Sequence, residues 1–343
     1  MKEYNLAILG ATGAVGQEFI NLLNERDFPF KNLKLLASAR SAGKELTVRG
    51  KTYKVEEAKA DSFNGVDVAL FAGGSISKTF APIAVKAGAV VIDNSSTYRM
   101  DPDVPLIVPE VNPQDITKHH GIIANPNCST IIMVMALKPI YDLARIKRII
   151  VSTYQAASGA GKDGLDELEN QIKQAARGEE MTARIFPSAS AEKHFSLALN
   201  LVPQIDIFLD NLYTKEEMKM VNETKKIFSD PEMRITATTV RVPVYRSHSE
   251  SVNVELEHDV ELEDIRKALA GFPGVVLQDD PSRQIYPMPL YTSGKNDVYV
   301  GRLRRDESAA NSFNFWCVGD QIRKGAALNT LQIAETMVKN GWL

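Results

Sequence analysis

The 343-residue sequence has little of what marks several classes of protein. It contains only two cysteines, too few for a disulfide framework, and this predicts a reducing compartment, the cytoplasm. Its net charge of −3 lacks the basic excess of proteins that bind nucleic acids or membrane surfaces. No apolar run reaches the ~20 residues of a membrane-spanning helix. The opening MKEYNLAILGATG enters a strand pattern directly, so no signal peptide is expected.

What is present predicts a folded protein with a sizeable core. The composition, 44% hydrophobic and 24% charged residues, is that of a globular protein, and the length favours two domains. In the first half, short β-branched segments alternate with amphipathic helical ones, which predicts a mostly parallel sheet with right-handed crossovers. The predicted strands are 4–10, 33–38, 66–72, 89–94 and 106–110, and the predicted helices are 14–26 and 77–88.

The pattern changes near residue 148, where a strand leads into a glycine-rich loop. A charged helix is predicted at 164–180, and the segments 233–245 and 247–257 alternate in the manner of antiparallel strands. One more helix is predicted at 262–274 and a last one from about Gln321 to Asn340. The sequence therefore predicts an α/β nucleotide-type domain followed by an α+β domain.

A glycine loop, GATGAVG (10–16), follows the first strand and opens the first helix. Gly10, Gly13 and Gly16 allow a tight turn and a close approach of backbone to a phosphate, which the helix N-terminus then binds. The alternative is a tight turn without a ligand, but the strand–loop–helix context favours a dinucleotide.

The end of the next strand indicates which dinucleotide. An enzyme that uses NAD places an acid there to hold the ribose hydroxyls, whereas ASARSAGK (37–44) offers Ser38, Arg40, Ser41 and Lys44 and no acid. A guanidinium with hydroxyls suits a 2′-phosphate, which favours NADP. The alternative is a solvated basic loop.

Cys128 stands in NPNCST (125–130), just before the apolar run IIMVMAL. Pro126 disfavours helical geometry at Asn125, so we expect the helix to begin at the cysteine, where its positive end lowers a thiol pKa. Cys317, inside FNFWCVG, is predicted to be inert core. The alternative for Cys128 is a small structural residue.

Several segments together resemble one family, and the resemblance runs over nearly all of the chain. It is carried by GATGAVG, SARSAGK, DNSSTYRM, PEVN, NPNCST, TYQAASGAG, EEMKMVNETKKI and RVPVYRSHSE, in order and in register. The sequence is similar to the aspartate-β-semialdehyde dehydrogenases. The resemblance implies a Rossmann-like NADP-binding domain with a parallel sheet (1–127) and an α+β catalytic and dimerisation domain with a mixed or antiparallel sheet (128–320). The C-terminal helix, about 321–343, is expected to pack back on the first domain.

The resemblance also implies the reaction. Aspartate 4-semialdehyde, NADP and phosphate interconvert with 4-aspartyl phosphate and NADPH, a step of lysine, methionine and threonine biosynthesis. Cys128 is expected to form a thioester and His248, in RSHSE, to carry the proton, since imidazole titrates near neutral pH. Gln155 is expected to orient the substrate, and Asn127 to support the oxyanion.

Further residues are assigned by the same resemblance. Arg241 matches the binder of the substrate carboxylate, Glu216 the acid for its ammonium, and Lys219 and Arg99 the phosphate ligands. Glu216 is preferred to Glu217 only because it lies three residues before Lys219. The expected cofactor contacts are Gly10, Thr12, Gly13, Ala14, Val15, Gly16, Ser38, Arg40, Ser41, Ser158, Gly159 and Gln321.

No metal, nucleic acid or membrane is expected, and the resemblance implies a homodimer. Two other functions remain open. An N-acetyl-γ-glutamyl-phosphate reductase would be expected to carry a GCYPT-like segment in place of NCST. A non-catalytic protein that senses NADP would be expected to have lost one of Cys128, Gln155 and His248, and all three are present.

Overall fold

The computed structural model describes residues 2–343, which form two compact units. The first unit runs as far as Asn127 and includes Gly325–Leu343, and the second is Cys128–Lys324. The strands are β1 (Tyr4–Leu9), β2 (Phe30–Ala37), β3 (Glu45–Val48), β4 (Lys51–Glu57), β5 (Val68–Phe71), β6 (Val90–Asp93), β7 (Ile122–Ala124), β8 (Ile146–Gln155), β9 (Arg234–Arg241), β10 (His248–Leu256), β11 (Val275–Leu277), β12 (Val298–Arg305) and β13 (Ser312–Gly319). The helices are α1 (Ala14–Glu25), α2 (Ser77–Lys86), α3 (Cys128–Leu143), α4 (Gly161–Ala176), α5 (Lys215–Phe228), α6 (Leu262–Gly271), α7 (Pro289–Thr292) and α8 (Leu328–Asn340).

The first unit is built on a seven-stranded sheet in the order β3-β4-β2-β1-β5-β6-β7. All neighbouring pairs are parallel except β3 with β4, which form an antiparallel hairpin at one edge. The central strands are apolar on both faces, as expected for a sheet covered by helices on both sides. Helix α8 packs its apolar side against this core through Leu331, Ala334 and Met337. The predicted parallel sheet is confirmed.

The prediction of a strand at 106–110 is wrong. Leu106 makes only an isolated bridge with Ala124, and the segment then turns where the Val111 N–H donates to the Val108 carbonyl. Pro105 and Pro109 lack the N–H groups that a strand needs for its ladder. The edge position belongs to β7 instead, which pairs with β6.

The second unit contains a six-stranded mixed sheet in the order β11-β12-β13-β10-β8-β9. Both strands predicted between residues 233 and 257 exist, as β9 and β10, but they are not neighbours. Strand β8 lies between them, antiparallel to β10 and parallel to β9. The alternation of residues identified the strands but could not show the direction in which each one pairs. The predicted mixed sheet is confirmed.

The C-terminal helix is shorter than predicted, because residues Arg323–Ala327 form a π-helical turn before α8 begins at Leu328. Within residues 2–343, none of the helices combines the length and the apolar character that crossing a bilayer requires.

Candidate active site

Cys128 is the first residue of α3, as the sequence predicts. The helix behind it is almost wholly buried from Ser129 to Leu137, whereas Cys128 itself is partly accessible. The N-terminus of this 16-residue helix therefore directs its partial positive charge at a reachable thiol. Cys317, on β13, is completely buried, and burial raises the pKa of its thiol well above the ordinary value.

His248 begins β10 and is completely buried. Its Nδ1 accepts a hydrogen bond from the Ala156 N–H at 3.0 Å, and its Nε2 has no hydrogen-bond partner among residues 2–343. Burial, and next the charge of Arg241, lowers the pKa of His248 to about 3. The imidazole is therefore neutral near pH 7, and because Nδ1 accepts, its hydrogen resides on Nε2.

Arg241 ends β9, directly beside Gln155 at the end of β8. Its Nη1 donates to the Ala156 carbonyl at 2.8 Å, and its Nε has no partner in the described chain. Burial lowers the pKa of Arg241, while the charges of Glu216 and of a Cys128 thiolate raise it. The charges of Glu216 and of a Cys128 thiolate therefore both act on the Arg241 guanidinium within the second unit.

Gln155 and Glu216 form the opposite side of this cluster. The buried Gln155 amide donates from Nε2 to Glu216 Oε1 at 3.2 Å. The other oxygen of Glu216 accepts from Lys219 Nζ at 3.0 Å, and Lys219 also contacts Asp206 Oδ2 at 3.2 Å. The predicted i,i+3 pair of Glu216 and Lys219 on α5 therefore exists. Its acid, Glu216, is buried and faces Gln155.

The carboxylate of the neighbouring Glu217 binds only backbone N–H groups among the hydrogen bonds of residues 2–343. Its two carboxylate oxygens accept the N–H groups of Thr214 at 2.7 Å and Thr239 at 2.9 Å, and the Thr214 hydroxyl accepts in return from the Glu217 N–H. This is a capping box at the start of α5 that also ties the helix to β9.

The short loop after β8 requires a small residue at Gly159. A Cβ added there would lie 2.6 Å from Arg241 Nη1 and 3.1–3.2 Å from the His248 ring. The preceding Ser158 is buried, and its hydroxyl accepts a hydrogen bond from Gln321 Nε2. Ser158 and Gly159, predicted from one segment, and Gln321, predicted from another, thus lie together beside His248.

The glycine loop of the first unit turns sharply between β1 and α1. Gly10 has a φ of +86°, and a Cβ there would lie 2.7 Å from the Ala72 carbonyl oxygen. A Cβ on Gly16 would lie only 2.1 Å from the Gly10 carbonyl oxygen. Gly13 is the N-cap of α1 and offers no side chain to the first N–H groups, so these remain for an anion. Thr12, Ala14 and Val15 complete the loop and the first turn of the helix.

The segment predicted to select the dinucleotide lies beside this loop, since the Thr12 hydroxyl donates to Ser41 Oγ at 3.2 Å. Ser38, Arg40 and Ser41 form a short turn immediately after β2. Ser41 is buried, whereas Ser38 and Arg40 are exposed, and the guanidinium has no hydrogen bond or ion pair within the described chain.

Two further predicted residues belong to the first unit. Arg99 is nearly buried and donates from Nη2 to the Asn94 carbonyl at 2.9 Å, next to the carboxyl end of β6. Asn127 is buried and directly precedes the cysteine. The predicted residues are therefore divided between the two units: the glycine loop, Arg99 and Asn127 belong to the first, and the cysteine–histidine group belongs to the second.

Two buried acids near the cysteine–histidine group were not predicted. Glu250 lies two residues after His248 on the same face of β10, where the inward positions 252, 254 and 256 are all apolar. Strict alternation in HSESVNVEL could have revealed it as an acid at an inward position. Asp320, next to Gln321, gives no such signal, because two of its four partners, Arg246 and Gly294, come from distant segments. Within residues 2–343, no three His, Cys, Asp or Glu side chains are grouped so that they could hold a metal ion.

Comparison with known proteins identifies the family. The family model "Semialdehyde dehydrogenase, NAD binding domain" matches residues 5–119, and "Semialdehyde dehydrogenase, dimerisation domain" matches 137–324. The aspartate-semialdehyde dehydrogenase of Bacillus subtilis is 52% identical over 98% of this chain and 97% of its own length. That of Aquifex aeolicus is 53% identical over 98% and 99%. The chain belongs to the aspartate-semialdehyde dehydrogenase family.

Solved structures of the family have the same fold. The aspartate semialdehyde dehydrogenase II of Vibrio cholerae, complexed with ASA, superposes with a TM-score of 0.93, at 47% identity over 99% of both chains. The aspartate semialdehyde dehydrogenase of Candida albicans, solved with NADP, gives a TM-score of 0.76 at 26% identity over 98% of both chains. The predicted family, fold class and enzyme class are confirmed, and the first unit carries a nicotinamide-dinucleotide domain.

Proposed function

We propose that the chain interconverts aspartate 4-semialdehyde, phosphate and NADP with 4-aspartyl phosphate and NADPH through a thioester on Cys128. One observation carries the proposal: a partly accessible thiol at the start of α3 is electrostatically coupled to the buried Arg241. Gln155, Glu216 and His248 complete the same cluster. The Vibrio cholerae relative complexed with ASA supports this choice of substrate.

In the biosynthetic direction the Cys128 thiolate attacks the acyl carbon of aspartyl phosphate. A carbon–sulfur bond forms, the bond to the phosphate oxygen breaks, and the proton that the overall reaction consumes ends on the departing phosphate. NADPH, when bound, supplies a hydride with its electron pair to the thioester carbon. The resulting oxyanion expels the thiolate and leaves the aldehyde. The sulfur thus divides one difficult transfer into two easier ones.

His248 stabilises the oxyanion in both steps. Its Nδ1 is occupied by the Ala156 N–H, and its neutral ring therefore directs Nε2–H as a hydrogen-bond donor. Each collapse regenerates a carbonyl and needs no proton on the carbon-bound oxygen, so a donor of this kind suffices. Asn127 is the second candidate donor. Because the pKa of His248 is lowered to about 3 and its Nδ1 already accepts a hydrogen bond, its predicted role as a proton carrier is not used in these steps and stays a prediction.

The charges of the cluster match the substrate. Arg241, whose Nε has no partner in the described chain, suits the α-carboxylate, and the nearly buried Glu216 suits the ammonium. Because both oxygens of Glu217 are held by backbone N–H groups, Glu216 is the better candidate of the two. Lys219 and Arg99 are proposed to bind phosphate.

The cofactor is proposed to be NADP. The exposed guanidinium of Arg40, which has no hydrogen bond or ion pair among residues 2–343, follows β2 at the place where an acid would hold the ribose of NAD, and Ser38 and Ser41 offer hydroxyls beside it. Gly10, Thr12, Gly13, Ala14, Val15 and Gly16 are proposed to hold the pyrophosphate, and Ser158, Gly159 and Gln321 the nicotinamide. The Candida albicans relative solved with NADP agrees with this choice.

The assembly is proposed to be a cytoplasmic homodimer formed through the second unit, which matches the dimerisation-domain family over residues 137–324. The proposed residue division remains a nucleotide-binding domain 1–127, completed by the C-terminal helix, and a catalytic domain 128–320.

The test is a steady-state assay with aspartate semialdehyde, NADP and phosphate. Cys128→Ala should lower phosphate-dependent NADPH formation by at least about a thousandfold, because the nucleophile is lost. Cys317→Ala is the matched control: it removes the other thiol and should keep most of the activity. Turnover of N-acetylglutamate semialdehyde instead, or NADP binding without any turnover, would overturn the proposal in favour of a reductase of that substrate or of a nucleotide sensor.

A further inference from the structure

Asp320 is a completely buried carboxylate directly after β13, and its two oxygens accept four hydrogen bonds. Oδ2 accepts from Arg246 Nε and from the Gly294 N–H, each at 2.6 Å. Oδ1 accepts from the N–H groups of Ile322 at 3.0 Å and Arg323 at 3.2 Å. One side chain therefore holds three segments together: the approach to β10, the turn at residues 293–294 and the start of the π-helical turn.

Next to Asp320, Gln321 uses both ends of its amide beside the cysteine–histidine group. Its Oε1 accepts from the Ser247 N–H at 2.8 Å, and its Nε2 donates to Ser158 Oγ. Gln321 therefore bridges the loop that carries Gly159 and the residue that immediately precedes His248.

Ser247 needs this support because its backbone is left-handed, with a φ of +73°. That conformation is unfavourable for a residue with a Cβ and persists only where the surroundings hold it. Ser247 is completely buried and is held through its N–H by Gln321 and through its hydroxyl by Ser293 Oγ at 3.1 Å. The turn at Ser247 sets the direction in which β10 begins, and therefore where the His248 ring lies.

We propose that Asp320 is a positioning residue for His248: it binds the Arg246 side chain, which precedes the left-handed Ser247, and the N–H groups of Ile322 and Arg323, which fix the turn that carries Gln321. This inference rests on the proposed role of His248 in the thioester reaction. Asp320 itself contacts neither His248 nor Cys128 in the structure. It acts by fixing the two segments that hold the imidazole against Ala156, within reach of the reacting carbonyl.

The experiment compares Asp320→Asn with Asp230→Asn in the full-length enzyme. Asp230 is also a buried acid of the second unit, paired with Arg145 by two contacts of 2.7 Å, and it precedes β9 at the end of the sheet opposite to His248. Both changes remove one buried charge, and only the first weakens the bonds to Arg246, Ile322 and Arg323, which flank Ser247 and Gln321 in the chain. The readouts are kcat per accessible Cys128 thiol, the KM for aspartate semialdehyde, and the melting temperature.

Asp320→Asn should lower kcat per titrated thiol by about tenfold or more, since small displacements of a reacting group are costly. The KM for the aldehyde should stay within about threefold of the wild-type value, because Arg241 and Glu216 are held by hydrogen bonds that do not involve Asp320. Asp230→Asn should lower the melting temperature alone. Equal kcat values for the two variants would overturn the proposal, whereas an inactive wild type would instead overturn the proposed function.

Arg246→Gln keeps the proposal testable if Asp320→Asn does not fold. Arg246 is about one-third exposed, and its loss leaves the other three donors of Asp320 in place. We expect a smaller fall in kcat per thiol, again with the KM for the aldehyde nearly unchanged. In the double variant the two effects should not multiply, because both changes remove the same interaction between Arg246 and Asp320. Multiplying effects would show independent roles and contradict the proposal.

Discussion

Arg40 is the residue on which the proposed choice of NADP over NAD depends. Its guanidinium is exposed and unpaired within the described chain, directly after β2, so its charge is available to a ligand. Arg40→Ala should raise the KM for NADP by about tenfold or more, because hydrogen bonds to a charged group contribute about 1.5–3 kcal/mol. The KM for aspartate semialdehyde should change less than twofold.

Lys31→Ala is the matched control for Arg40. It also removes one exposed positive charge, but at the start of β2 rather than in the turn that follows its end. The cofactor KM of this variant should equal that of the wild type. Steady-state kinetics with NADP and NAD measure both variants, and an Arg40→Ala effect of equal size on cofactor and aldehyde would contradict the 2′-phosphate assignment.

Glu250 illustrates how a buried acid links stability to pH. Its Oε2 accepts from Cys317 Sγ at 3.5 Å, its Oε1 has no partner in the described chain, and burial raises its pKa well above the ordinary value, with the charge of Glu216 adding to the effect. The folded protein therefore keeps this proton at pH values where the unfolded chain has lost it. Stability is fully present below the ordinary glutamate pKa and falls as pH rises from there toward the raised value.

Glu250→Gln should remove this dependence, because an amide stays neutral. At pH 4 the urea midpoints of variant and wild type should agree closely. At pH 8 the variant should be more stable, by at most about 1.4 kcal/mol for each pH unit over which the folded acid stays protonated. Urea unfolding followed by circular dichroism at both pH values measures the difference. A variant that is less stable at pH 8 would mean that Glu250 is ionised and paired in the fold.

At the scale of single elements, helix α5 places two adjacent acids in different roles. Glu217 caps the helix and binds β9, whereas Glu216 faces Gln155. Glu217→Gln should therefore cost about 1–2 kcal/mol of stability, as expected for a lost cap, and leave the KM for aspartate semialdehyde nearly unchanged. Glu216→Gln should raise that KM by about tenfold or more and change the melting temperature less. Each variant is the control for the other, and an exchange of the two outcomes would reverse the assignment.

Elements with a clear period could be predicted from the sequence, and pairings that depend on distant segments could not. Strand β1, helix α1 and the start of α3 lie where the apolar patterns and Pro126 indicate. The segment at 106–110 is as apolar as a strand, but its prolines prevent a ladder, and three residues of β7 take the edge. The β3–β4 hairpin, largely exposed, has too little apolar alternation to be recognised.

In the candidate site, too, the residues marked by a local sequence pattern could be predicted, whereas those brought together by distant segments could not. Cys128 and the glycine loop could be predicted because a local context, helix start or strand–loop–helix, accompanies each motif. His248, Arg241 and Glu216 were assigned only by resemblance, because no local pattern distinguishes them from surface residues. Two of the donors to Asp320, Arg246 and Gly294, are separated from it by 74 and 26 residues, so only the fold brings them together.

At the scale of the whole molecule, the second unit has an apolar surface suited to a second copy. A cavity of about 400 Å³ is lined by Met288, Pro289, Phe315 and Trp316 together with two arginines. Beside it, Leu290 and Tyr291 of α7 are 79% and 66% exposed. Exposed apolar groups that adjoin a cavity typically mark an interface, and this one lies in the segment that matches the dimerisation-domain family.

Leu290→Glu should therefore convert the proposed dimer into monomers. In a twofold-symmetric interface each substitution counts twice, and each copy loses the burial of a leucine, about 1.5–3 kcal/mol, and must also desolvate a carboxylate. Light scattering at micromolar concentration should give twice 37.9 kDa for the wild type and 37.9 kDa for the variant. Met100→Glu, at a methionine that is 51% exposed in the first unit, is the control and should remain dimeric. A Leu290→Glu variant that stays dimeric would place the interface on another face of the second unit, away from α7.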